Sequence, residues 1–117
     1  MNLDAHDLRQ ALIKRHYVAT GRGHLHEFPA DHYIYSDKGP FLVAVNGQAY
    51  TVSVCWHSDP EDDWSSKLLL VFEVNQGDEV AYFAQYGQYQ SHVGTEWYYG
   101  MEQVEPVTKT IEAWEPK

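Results

Sequence analysis

Residues 41–56, FLVAVNGQAYTVSVCW, decide the fold. Two runs rich in β-branched and aromatic residues flank Asn46-Gly47, a dipeptide that tolerates the two positive φ angles of a type I′ turn. The stretch therefore predicts a hairpin with arms 41–45 and 48–56. In the second arm Tyr50, Val52, Val54 and Trp56 alternate with Ala49, Thr51, Ser53 and Cys55. Successive side chains of a strand point to opposite faces, so one face is bulky and the other small. Either face suits a covering helix, the bulky one as core or the small one beneath closely packed backbone, and the alternation alone does not choose.

Upstream of the hairpin, Asp4-Ala5-His6-Asp7 offers a capping carboxylate with a second acid three residues on, where a helix begins. Ala5, Leu8, Ala11 and Leu12 share one side at the helical period, with Ile13 and Tyr17 as a flanking pair. Gly21 or Gly23 can take the left-handed conformation that ends a helix, so the spacing predicts one amphipathic helix over 3–20. From 22 to 40, Pro29, Asp31, Asp37, Gly39 and Pro40 break the pattern and leave only HYIYS, 32–36, as a short strand.

Downstream, HSDPEDDWSS at 57–66 is a polar loop, and KLLLVFEV at 67–74 is an apolar run of central-strand length. Asn75-Gln76-Gly77-Asp78 is a turn, and 79–86 is the partner arm of a second hairpin. Strands at 95–103 and 107–114 follow, separated by Pro106, which cannot donate to a ladder. The sum is one α+β domain spanning 1–117: an N-terminal helix on a five- or six-stranded, mostly antiparallel sheet in meander order. A helix followed by long strands is also similar to the NTF2-like cone, a resemblance that implies a curved sheet around an apolar cavity.

A chain of 117 residues with 44% hydrophobic and 21% charged residues suits a single core and is not disordered in composition. Charge is uneven. Arg9, Lys14, Arg15 and Arg22 face only Asp4 and Asp7 in the first 22 residues, whereas from residue 23 onward fifteen acids face four lysines. A body this acidic repels phosphate backbones, which excludes direct nucleic-acid binding and favours a basic protein partner. No run approaches the roughly 18 apolar residues of a membrane span, and MNLDAHDLRQ is not a basic-then-apolar leader, so no membrane and a cytoplasmic location are expected. Cys55 is the single cysteine, has no neighbouring cation, and reads as a packing residue.

Chemical motifs are sparse. His24-Leu25-His26 followed by an acid resembles the first cupin motif, which implies a metal site, but Asp31 stands where Glu is usual and no second motif follows. His57-Ser58-Asp59 with His92 has the order of a two-histidine, one-carboxylate iron triad and nothing else of it. Gly39-Pro40-Phe41, with Tyr33, Tyr35 and Trp97-Tyr98-Tyr99-Gly100, resembles the signature of GYF domains, yet a strand run and an Asn-Gly turn follow here where that family has a helix. Nucleophile elbows, phosphate-cradling glycine loops and paired CxxC elements are absent from the sequence. No catalytic residue, metal or cofactor is assigned.

What remains is aromatic residues beside acids, the composition of an interface where rings bury area and charge steers the partner. The candidate binding residues are Asp59, Glu61, Asp62, Asp63 and Trp64 in the acidic loop, with Tyr86, Tyr89, Trp97, Tyr98 and Tyr99. The function expected is that of a small acidic binding protein, of the kind that immunity proteins and phage or mobile-element inhibitors represent, acting on a basic protein. A second expectation is an aromatic-walled pocket for a small molecule, or a minor enzyme, with His32, His57 or His92 as acid or base. A two-fold homodimer is expected, joined at the edge strand 32–36, which carries no proline or lysine, or through the aromatic region.

Overall fold

Asp4 starts the helix as the sequence predicts. Its side chain accepts the Asp7 N–H at 3.3 Å, and the chain then runs as α1, Ala5–Thr20, in a computed structural model that describes residues 1–21, 27–57, 67–90, 94–97 and 100–106. Leu3, just before the cap, and Leu8, in the first full turn, both enter the core, the placement of a hydrophobic staple. Gly21 ends the helix at φ 66°, and its N–H donates to the Tyr17 carbonyl at 2.7 Å.

Among the described residues the sheet has six strands: β1 Phe41–Val45, β2 Gln48–His57, β3 Lys67–Gln76, β4 Glu79–Gln90, β5 Gly94–Glu96 and β6 Met101–Val104. All pairings are antiparallel, and β1 to β5 follow one another in meander order. The strand expected at 95–103 is present as two pieces, since β6 also pairs with β4 and lies in line with β5 on the same edge. Trp97, directly after β5, is buried. The strand expected at 107–114 lies outside the described residues. At the first hairpin Asn46 and Gly47 have φ values of 51° and 81°, the type I′ turn their identities call for.

Register sorts the two faces. Leu68, Leu70, Phe72 and Val74 of β3 are buried, as are Val43, Val45, Tyr50 and Val52 on the same side, and α1 covers this face with Leu8, Leu12 and Ile13. The bulky face of β2 is therefore the core face. The helix touches β1 near one edge of the sheet and β6 at the other, so it crosses over the strands.

The expectation of an edge strand at 32–36 is overturned. His32–Ser36 is a π-helical turn, closed by the Asp37 N–H donating to the His32 carbonyl at 2.8 Å. The alternation Tyr-Ile-Tyr misleads because the neighbours Tyr33 and Ile34 are both buried, which a strand on a one-sided core does not permit. Tyr33 anchors the turn: its hydroxyl donates to the Leu12 carbonyl at 2.5 Å, and its ring meets Phe28, Phe72 and Phe41 at centroid distances of 5.9, 5.7 and 5.6 Å. Burial pushes its phenol up to about 12, so it remains a hydrogen-bond donor. The edge on this side of the sheet is β1, and the dimer contact expected at 32–36 loses its structural basis.

Candidate binding surface

The sheet face opposite α1 is built by β-strand alternation plus one irregularity. Thr51 and Ser53 of β2 lie on it, and Val54 points to the core. A bulge between Val54 and Trp56 then inserts one residue, so that Trp56 pairs with Val71 and moves to the outer face, where it is 51% exposed. Strict alternation would have sent Trp56 inward with Tyr50 and Val52. From Trp56 the register runs through Val71 and Ala84 to Glu102, one row across four strands, with Glu73, Tyr82 and Val104 in the row beside it. Helix α1 and the π-helical turn both pack on the opposite, core side.

Tyr86 joins this surface. It stands opposite Leu69, and its hydroxyl donates a short hydrogen bond to the Glu102 carboxylate. That bond, and burial after it, raise the phenol above its ordinary range, so Tyr86 stays protonated and holds Glu102 in place. The Cys55 thiol is exposed at the bulge and is pushed up by burial of its sulfur and by Glu73, the opposite of an activated thiolate.

Of the candidates from sequence, Tyr86 lies on this face. Tyr89 contributes β4 backbone opposite Thr95. Trp97 is a core residue, 6% exposed, with its indole N–H unpartnered. Asp59, Glu61, Asp62, Asp63 and Trp64 belong to the connection 58–66, which leaves β2 just after Trp56, and with Tyr98 and Tyr99 they lie outside the described residues. Trp56 and Val71 were missed because a bulge has no residue signature here. Tyr86 and Glu102 meet each other within the chain.

Two other polar clusters lie beneath or beside the helix. Arg9 is buried without a carboxylate partner among the described residues, its Nε donating to Gln85 Oε1 at 3.0 Å and its Nη2 to the Trp97 carbonyl at 3.4 Å. It ties α1 to β4 and to the interrupted edge, and burial lowers its pKa. Near the helix end, Arg15 pairs with Asp37 at 2.8 Å and stacks over Phe41 at 3.7 Å. Burial of Arg15 favours its neutral form, but Asp37 and Tyr33 outweigh that and raise its pKa.

His16 and His32 sit next to this pair with ring centroids 4.6 Å apart. Burial, and then the neighbouring His32, lower the pKa of His16. The folded chain thus takes up this proton less readily than the unfolded chain. Stability is fully present above the unfolded value of about 6.5 and falls as pH drops through it and on through the lower folded value. Thermal melts at about pH 7.5 and about pH 5 should show a lower midpoint in acid, and His32→Asn should shrink the difference. An unchanged difference in that variant would remove the histidine pair as its source.

Of the histidines considered as acid or base, His32 thus meets His16, His57 ends β2, and His92 is outside the described residues. Among the described residues, no group of three or more His, Cys, Asp or Glu side chains could hold a metal ion, and no helix is long and apolar enough to cross a membrane. Scans of family models, curated proteins and solved structures each give no match to the chain.

Proposed function

We propose that this chain is a binding protein that uses its helix-free sheet face to hold a basic protein partner. The observation that carries this reading is the bulge in β2, which turns Trp56 away from the core and sets it beside Val71, in the row that ends at Glu102. A half-exposed tryptophan beside an aliphatic side chain, with tyrosines farther across the same face, is the composition of an interface anchor. Glu73 lies in the neighbouring row and Glu102 at the far end of the same row, and in sequence the acid-rich connection 58–66 begins after His57. The whole chain's net charge of −9 attracts a cationic partner at long range, and Trp56 with Val71 supplies the contact after encounter.

The test starts from a partner captured at low ionic strength, identified, and prepared separately. Its affinity should weaken as salt is raised. Trp56→Ala should weaken it about 30-fold at constant salt, the loss of a hot-spot residue, and leave the fold intact because the ring is half exposed. Asp62→Lys should chiefly slow association. Trp97→Ala differs in kind, since it empties a core position, and should show first as lost stability. A captured partner whose affinity ignores salt, Trp56→Ala and Asp62→Lys alike would refute the reading.

A further inference from the structure

The edge strand β1 leaves a row of backbone groups open. Among the described residues it pairs only with β2. Because Asn46-Gly47 is a two-residue turn, Val45 and Gln48 exchange both backbone hydrogen bonds, and in alternation so do Val43 with Tyr50 and Phe41 with Val52. The Val54 N–H, donating to the Lys38 carbonyl at 2.8 Å, continues that alternation. The N–H and C=O groups of Leu42 and Ala44 therefore point away from β2, and no described group bonds to them. Within β1 no proline or charged side chain blocks the edge.

Alongside this edge runs α1, and between them lies an open groove of about 530 Å³. Its helix wall is Ala11, Lys14, Val18 and Ala19, and its strand wall includes Leu42 and Ala44. Val18, 73% exposed, places an apolar side chain on the helix side, whereas Leu42 and Ala44 alternate onto the opposite face of the sheet and meet the groove at the strand edge. Lys14 is exposed and is the cation the groove presents, since Arg15, which also lines it, is paired with Asp37.

We propose that this groove takes up an extended, acidic segment of a partner chain as an added strand beside β1. Backbone of that segment completes the open bonds of Leu42 and Ala44. Its alternate side chains enter the groove, small or branched apolar ones against Ala11, Val18 and Ala19, and a carboxylate against Lys14. Charge selects this occupant over a second copy. Pairing β1 with β1 about a two-fold axis would bring Lys14 of both copies to one seam, where like charges repel at close range. Attraction of an acidic segment survives the acidic remainder of the molecule because salt screens charges beyond roughly 8 Å.

The probe is a capped peptide, Thr-Val-Thr-Glu-Thr-Val-Thr, whose valines and glutamate share one face when extended, with a lysine-centred counterpart as control. Titrated into the full chain, the glutamate peptide should shift the Leu42 and Ala44 amide resonances and slow their exchange with solvent. Ala44→Pro removes an outward N–H without touching the ladder to β2, and Lys14→Glu reverses the wall charge; each should weaken binding about tenfold. Lys14→Glu should also prefer the lysine peptide, a reversal that misfolding cannot imitate. Three results would overturn the proposal: equal binding of both peptides or of neither, shifts that avoid β1, or slow exchange at Leu42 and Ala44 in a peptide-free dimer, which would make a second copy the occupant.

Discussion

Phe72→Ala should lower the unfolding free energy by about 3–5 kcal/mol, the usual cost of emptying a buried aromatic site. Phe72 is 0% exposed at the middle of β3, flanked in register by Val54 of β2 and Phe83 of β4. Phe28 and Tyr33 meet it edge-on, at 5.9 and 5.7 Å between centroids. Those rings belong to a segment with no regular strand or long helix of its own, so the packing on Phe72 is what seats that segment on the sheet. A whole domain of this size is stabilised by about 5–15 kcal/mol, so the variant should be partly unfolded at room temperature. Urea denaturation followed by tryptophan fluorescence gives the answer. A midpoint within about 0.3 M of the parent at unchanged slope, a loss near 1 kcal/mol or less, would show that the aromatic cluster does not hold the core.

Gly39→Ala should cost about 2–4 kcal/mol, far more than the same change at Gly77. Both glycines have positive φ, 83° and 59°, which an L side chain resists. They differ in what surrounds them. A Cβ on Gly39 would lie 2.6 Å from the Val52 carbonyl oxygen and 3.0 Å from the Ser53 Cα, both backbone atoms of a central strand that cannot swing aside. A Cβ on Gly77 meets nothing within 4 Å, so Gly77→Ala should cost only the conformational preference, about 1 kcal/mol. Parallel urea melts of the two variants decide it, and equal losses would mean that the close approach of Gly39 to β2 has no energetic weight.

Much of the architecture was legible because it is local chemistry. Asp4 caps because its carboxylate reaches an amide three residues on, Gly21 stops the helix because it tolerates a left-handed φ, and Asn46-Gly47 turns because both residues do. Each of these depends on a few neighbouring residues, and each reads the same in the chain as in the fold. The run 67–74 likewise becomes the central strand β3, with its even-numbered apolar residues in the core.

Tertiary packing decided what those signals left open. Tyr-Ile-Tyr at 33–35 alternates like a strand, but the Leu12 carbonyl and the Phe28 and Phe72 rings draw Tyr33 inward, and a π-helical turn places Ile34 beside it. Arg9 lies on the buried side of α1 because Gln85 and the Trp97 carbonyl, 76 and 88 residues away along the chain, accept its hydrogen bonds. Trp56 belonged with Tyr50 by alternation and faces outward by one inserted residue. The sequence by itself determined the helix, the hairpin, the meander and the acidic character, since caps, turns and charge act within a few residues. The face each side chain occupies, and with it the candidate binding surface, was decided by packing and register between strands, where a shift of a single residue exchanges inside for outside.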